Sequence, residues 1–158
     1  MRFVSKKAIL IVAMISLAAV SSVVYSHCQI PCGIYDDAAR FKMIAEHITT
    51  IEKSIVSINQ LSAKPKPDHN QIVRWVGNKE KHADAASDII TYYFMAQRLK
   101  PVASNDRNEY DKYVRQLTLL HKMLIQCMKA KQSANLATAG TMRTFLAEFE
   151  KEYFTDSR

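Results

Sequence analysis

Five isoleucines, Ile44, Ile48, Ile51, Ile55 and Ile58, recur at alternating steps of four and three residues. That spacing lays an apolar stripe along one side of a helix and leaves no two-residue alternation for a strand. Lys64-Pro65-Lys66-Pro67 ends the pattern, because proline has no amide hydrogen and crowds the preceding turn. A second run, from about Asp68 to Leu99, carries Ile72, Val76, Ala83, Ala86, Ile90 and Tyr93, and Pro101 closes it. Asp106 with Glu109 three residues on reads as a capping box for a third helix. Its predicted face is Tyr110, Tyr113, Leu117, Leu120 and Leu124. A fourth run, from about Ser133 to Tyr153, offers Leu136, Met142, Phe145, Leu146 and Phe149. Four such stretches with short connections predict an all-α fold, an up-down-up-down four-helix bundle over 37–158. The stripes are read as core, so the chemistry is sought elsewhere. With three glycines in 158 residues the chain has no G-x-x-x-x-G-K or G-x-G-x-x-G loop, which argues against phosphate-cradling nucleotide folds.

The first 26 residues read as a leader. Arg2, Lys6 and Lys7 form a positive start, and Ala8 to Val24 is an uncharged, mostly apolar run. Val24 and Ser26 occupy the −3 and −1 positions of a small-residue cleavage site. The expectation is a Sec-type signal peptide over 1–26, removed on export to a periplasmic or extracellular space. The competing reading is an uncleaved anchor, for which the apolar run stands at the short limit. Cleavage would leave 132 residues and lower the net charge from +7 to +4, because three basic residues depart. The remaining charge suits a small anion. It does not make a nucleic-acid surface, since no basic stripe with interleaved aromatics is present. No membrane association is expected after processing.

The bundle itself shows no metal signature. No Glu is followed three residues later by His, and neither H-E-x-x-H nor C-x-x-C-H occurs. His47, His69, His82 and His121 lie apart in sequence and are read as solvated or singly bonded side chains. Cys127 is read as a buried, inert thiol. What remains is His27-Cys28-Gln29-Ile30-Pro31-Cys32-Gly33-Ile34-Tyr35-Asp36, directly behind the cleavage site. If His27 is the new N-terminus, its α-amine, which titrates near pH 8, joins its imidazole as a donor. Cys28 offers a thiolate and a backbone amide nitrogen, and Cys32 a second thiolate. Four such donors in a plane, with an axial imidazole, suit Ni(II) or Cu(II) better than tetrahedral Zn(II). Pro31 and Gly33 supply the bend that returns Cys32 toward Cys28.

The same stretch resembles the nickel hook of the nickel superoxide dismutases, H-C-D-L-P-C-G-V-Y-D. His27, Cys28, Pro31, Cys32, Gly33, Tyr35 and Asp36 are identical to it. Ile30 and Ile34 are conservative changes, and Gln29 replaces an Asp, keeping hydrogen-bonding capacity while dropping a negative charge. Tyr92-Tyr93-Phe94 is similar to a Tyr-Phe in the family's second helix. The resemblance implies one nickel per subunit, cycling between Ni2+ and Ni3+ and converting superoxide to oxygen and hydrogen peroxide. It implies that His27, Cys28 and Cys32 hold the metal and that Tyr35 lines substrate access. It also implies a homohexamer. The route of nickel delivery is not read from the sequence, and a dedicated maturation peptidase or nickel chaperone is one candidate partner. Thiolates and an anionic amide donate strongly enough to stabilise the oxidised metal.

Three rival readings stay open on the residues alone. Cys28 and Cys32 could close a structural disulfide in an oxidising compartment. The segment could carry nickel or copper without turnover. A thiol redox role would need the C-x-x-C spacing that is missing here.

Overall fold

The structure is a computed structural model that describes residues 33–155. Residues 1–26, expected to be a signal peptide, and His27, Cys28 and Cys32, the expected metal ligands, lie outside the described residues. The chain divides into two compact units, Met1–Ile34 and Tyr35–Arg158. Of the first, Gly33 and Ile34 are described.

The second unit is the expected bundle. Helix α1 spans Asp37–Ser62 and α2 spans His69–Asp88, running on without a break into a π-helical segment, Ile89–Arg98. Helices α3 and α4 follow at Arg107–Gln132 and Ala137–Phe154. Each helix packs on its neighbours in sequence and α4 returns to α1, which closes the up-down-up-down ring. Among the described residues there is no strand, and no helix is long and apolar enough to cross a membrane.

Three aspartates start three of the helices. Asp36, Asp68 and Asp106 each accept a hydrogen bond from the amide three residues on, at 2.9, 3.1 and 3.3 Å. Each thereby satisfies one of the amides that a helix start leaves without a partner. All five isoleucines of the α1 stripe are buried, together with Phe41. The stripe of α3 is turned from the predicted one. Its buried positions are Gln116, Leu119, Leu120, Met123, Cys127 and Ala130, while Leu117 and Leu124 are half-buried and Tyr110 is exposed. Gln116 can be buried because its side-chain amide donates to the Glu152 carbonyl at 3.2 Å. Leu136 is also exposed, because it sits just ahead of α4 rather than on its inner face.

Lys79 of α2 is buried, and its ammonium caps the end of α3. It donates to the carbonyls of Ala130, Lys131 (3.1 Å) and Ser133 (3.1 Å). The last carbonyls of a helix carry partial negative charge and have no partner within the helix, so a cation here serves both needs. Replacing Lys79 with Met strands those carbonyls. The expected cost is about 2–3 kcal/mol, read as a lower midpoint in urea unfolding, and an unchanged midpoint would show the cap to be idle.

Candidate metal centre

The described part of the hook begins at its bend. Gly33, the residue after Cys32, has φ +77°, a left-handed conformation that L side chains rarely adopt. A Cβ there would meet no atom within 4 Å, so the need for glycine is one of backbone conformation and not of space. Three residues on, Asp36 caps α1. The segment between the last proposed sulfur ligand and the bundle is therefore four residues long and fixed at its helical end.

That helical end is held by a polar cluster around Asp37. Arg98 grips its carboxylate with two donors, Nε to Oδ1 at 2.8 Å and Nη2 to Oδ2 at 2.6 Å. Tyr93 donates to Oδ1 at 2.6 Å and Tyr153 to Oδ2 at 2.9 Å. A forked guanidinium–carboxylate pair is among the stronger contacts a protein can make. Burial raises the Asp37 pKa, but the hydrogen bonds from Arg98, Tyr93 and Tyr153 outweigh it and leave the carboxyl below its usual range. Burial and the hydrogen bond to Asp37 push both tyrosine hydroxyls up to about 12. At neutral pH both are therefore donors.

Tyr35 rests on this cluster. Its ring meets Tyr93 edge-on at 5.8 Å, and the Arg98 guanidinium lies 4.5 Å from its centroid. Arg40 lies 5.0 Å from the Tyr93 ring. Tyr35 itself stays 41% exposed, so it is held on one side and open to solvent on the other. The charge of Arg98 is matched by Asp37, whereas the buried Nε of Arg40 has no hydrogen-bond partner among the described residues. Beneath it, Phe41, Phe94, Phe149 and Tyr153 pack with ring centroids 4.9–5.6 Å apart.

The π-helical segment explains how Tyr93 and Arg98 reach one carboxylate. In an α-helix, residues five apart point about 140° away from each other. The wider winding, seen in the Leu99 amide bonding to the Phe94 carbonyl at 2.8 Å, brings them onto one face. Sequence reasoning placed Tyr93 in the core, where it is, but missed Asp37, Arg98 and Tyr153. Only the Tyr-Tyr-Phe run hinted at the site.

Two of the bundle histidines, far apart in sequence, are singly bonded to each other. Nδ1 of His47 on α1 and Nδ1 of His82 on α2 are 2.9 Å apart, both half-buried. A separation of 35 residues hid the pairing, which the antiparallel packing of α1 on α2 creates. His69 and His121 are exposed, as expected. Cys127 is buried and free, and burial raises its pKa, in keeping with an inert thiol.

A family model described as nickel-containing superoxide dismutase matches residues 22–157, a range that includes the whole hook sequence. No curated protein matches the chain. Among solved structures, a native nickel superoxide dismutase superposes with a TM-score of 0.61 at 20% identity, covering 84% of this chain and all of that one. An aspartate-to-alanine mutant of such an enzyme gives 0.61 at 20% identity, and a tyrosine-to-phenylalanine mutant 0.59 at 21%. Each of these two comparisons covers 83% of this chain and 98% of the other. At such identities the structures establish the shared fold.

Proposed function

The chain belongs to the nickel-containing superoxide dismutase family, and on that premise we propose that His27, Cys28 and Cys32 hold its nickel and that Tyr35 borders the path of substrate. The reaction is the family's: two superoxide anions and two protons give one O2 and one H2O2. When bound, nickel supplies the one-electron redox chemistry that lets one anion be oxidised and the next reduced. The donor set fits such an ion, since an amine, an amide nitrogen and two thiolates are what a square-planar nickel site asks for.

The observation that carries the assignment is the dense run from His27 to Asp36, within the matched range, with the left-handed Gly33 directly after Cys32. The chain's own part is positional. Asp37 fixes Arg98, Arg98 covers one face of Tyr35, and Tyr93 blocks its edge. Tyr35 then offers a hydroxyl of settled position three residues beyond Cys32. The leader over 1–26 completes the reading. Its removal on export to a periplasmic or extracellular space frees the His27 amine, and a homohexamer with one nickel per subunit is the assembly that follows by resemblance. A maturation peptidase or nickel chaperone would serve that step.

The test is substitution of each sulfur. Cys28→Ser and Cys32→Ser are both expected to reduce superoxide decay to its uncatalysed rate while the helical circular dichroism stays unchanged. Activity retained in either variant would overturn the ligand assignment. A disulfide reading fails if thiol titration of the metal-stripped, unreduced protein finds both sulfurs free.

A further inference from the structure

We propose that Arg40, in the first turn of α1, is the cation that draws superoxide toward Tyr35. The proposal rests on the reading that Tyr35 borders the path of substrate. Two guanidinium groups stand beside the tyrosines at this end of the bundle, and they are not equivalent. Arg98 lies 4.5 Å from the Tyr35 ring, but the Asp37 carboxylate grips it with two hydrogen bonds and cancels its charge. Arg40 lies 5.0 Å from the Tyr93 ring, and Tyr93 in turn meets Tyr35 at 5.8 Å. Among the described residues Arg40 forms no ion pair. Both oxygens of Asp37 are taken by Arg98, Tyr93 and Tyr153. Asp36 caps the helix through the Ala39 amide and is exposed, so water screens its charge.

The side chain of Arg40 is poorly satisfied where it stands. Its Nη1 donates to Met43 Sδ at 3.5 Å, and a thioether is a weak acceptor. Its Nε is buried with no hydrogen-bond partner. A buried donor without an acceptor is costly, and a cation in a first turn faces the positive end of the helix dipole. The face of the Tyr93 ring offsets part of that cost. Stability alone is therefore a poor account of this residue, whereas an uncompensated positive charge is what a site for a small anion needs. The charge is permanent, since a guanidinium does not titrate in the working range. Because Nε is closed to solvent, Arg40 acts through its charge and not as a fork that grips the anion at that nitrogen. At an ionic strength of about 0.01 M the Debye length is about 30 Å, and the charge is felt past Tyr93 at Tyr35. At about 0.15 M it is about 8 Å, and the attraction is cut short.

The experiment measures the second-order rate constant for superoxide decay with the nickel-loaded enzyme at ionic strengths of about 0.01 and 0.15 M. Arg40→Gln is expected to lower it about tenfold at the lower salt, the small end of what steering by charge supplies, and far less at the higher. Arg40→Lys, which keeps the charge, is expected to keep the rate and its salt dependence. A wild-type rate and salt slope in Arg40→Gln overturns the proposal. An equal loss at both salts, in Arg40→Gln alone or in both variants, marks a packing role and also overturns it. A second readout needs no turnover. Sodium azide, a small monovalent anion, is titrated into the metal-free protein at low salt and followed by NMR. The Arg40 Nε–H and Tyr35 ring signals are expected to shift together in the wild type, and the Tyr35 shift is expected to vanish in Arg40→Gln. Unmoved wild-type signals overturn the proposal, and that titration needs no variant to fold. Should the hook reading fail instead, wild type and variants alike leave superoxide to decay unaided while the azide shifts persist, so the two failures are distinguishable.

Discussion

Adding a single residue ahead of His27 is expected to abolish dismutation while leaving the four helices intact. The extension turns the α-amine into a peptide nitrogen. An amine near pKa 8 sheds its proton readily for a metal, whereas a peptide nitrogen gives it up far less easily. The bundle draws its stability from the buried stripes of α1 to α4, which lie beyond the hook and do not sense the change. Superoxide decay should therefore fall to its spontaneous rate at an unchanged melting temperature. An extended protein of full activity would show that the terminal amine is not a ligand. The same reasoning makes the precursor, with residues 1–26 attached, inactive.

Asp37→Ala is expected to cause the largest loss of stability among the site substitutions. It leaves the Arg98 guanidinium and the hydroxyls of Tyr93 and Tyr153 without their shared acceptor. Breaking a buried pair by removing one partner costs about 3–5 kcal/mol. The side chains of Arg98 and Asp37 are 29% and 16% exposed, which moderates the cost to about 2–3 kcal/mol. For a domain of this size that lowers the melting temperature by about 10 °C. The effect has a pH signature. The carboxyl of Asp37 has a lower pKa in the folded than in the unfolded chain. Its contribution is therefore complete above the ordinary aspartate range, near pH 4, and is lost as pH falls through the folded value. Wild type and Asp37→Ala should differ most at neutral pH and converge in acid. A constant difference down to pH 2 would show that the carboxylate charge is not what holds the cluster.

The helices of this chain were legible because their signals are local. The α1 isoleucines follow one another at helical spacing and all five are buried. Asp68 and Asp106 mark helix starts three residues from the amides they cap. The face of α3 was less legible, since Leu117 and Leu124 are as apolar as Leu119 and Leu120, and only packing decides which side turns inward. The π-helical winding over Ile89–Arg98 left no mark in a reading tuned to a period of 3.6. Contacts made across the bundle were invisible for a related reason. Asp37 meets Tyr93, Arg98 and Tyr153 across 56, 61 and 116 residues, and no sequence rule links such positions. The proposed metal ligands are the opposite case. His27, Cys28 and Cys32 fall within six residues, so a candidate donor set was legible from spacing, and the resemblance to the nickel hook supplied the choice among its possible roles.

The central claim is that a chain beginning at His27 turns over superoxide with nickel held by its own first residues. It is tested most directly by purifying the processed protein, sequencing its N-terminus, measuring its nickel and timing superoxide decay on the same sample. The account expects His27 as the first residue, one tightly held nickel per chain in the enzyme as isolated, and decay far faster than the spontaneous rate. A sample that starts at His27 and carries its nickel, yet leaves superoxide to decay unaided, would contradict it.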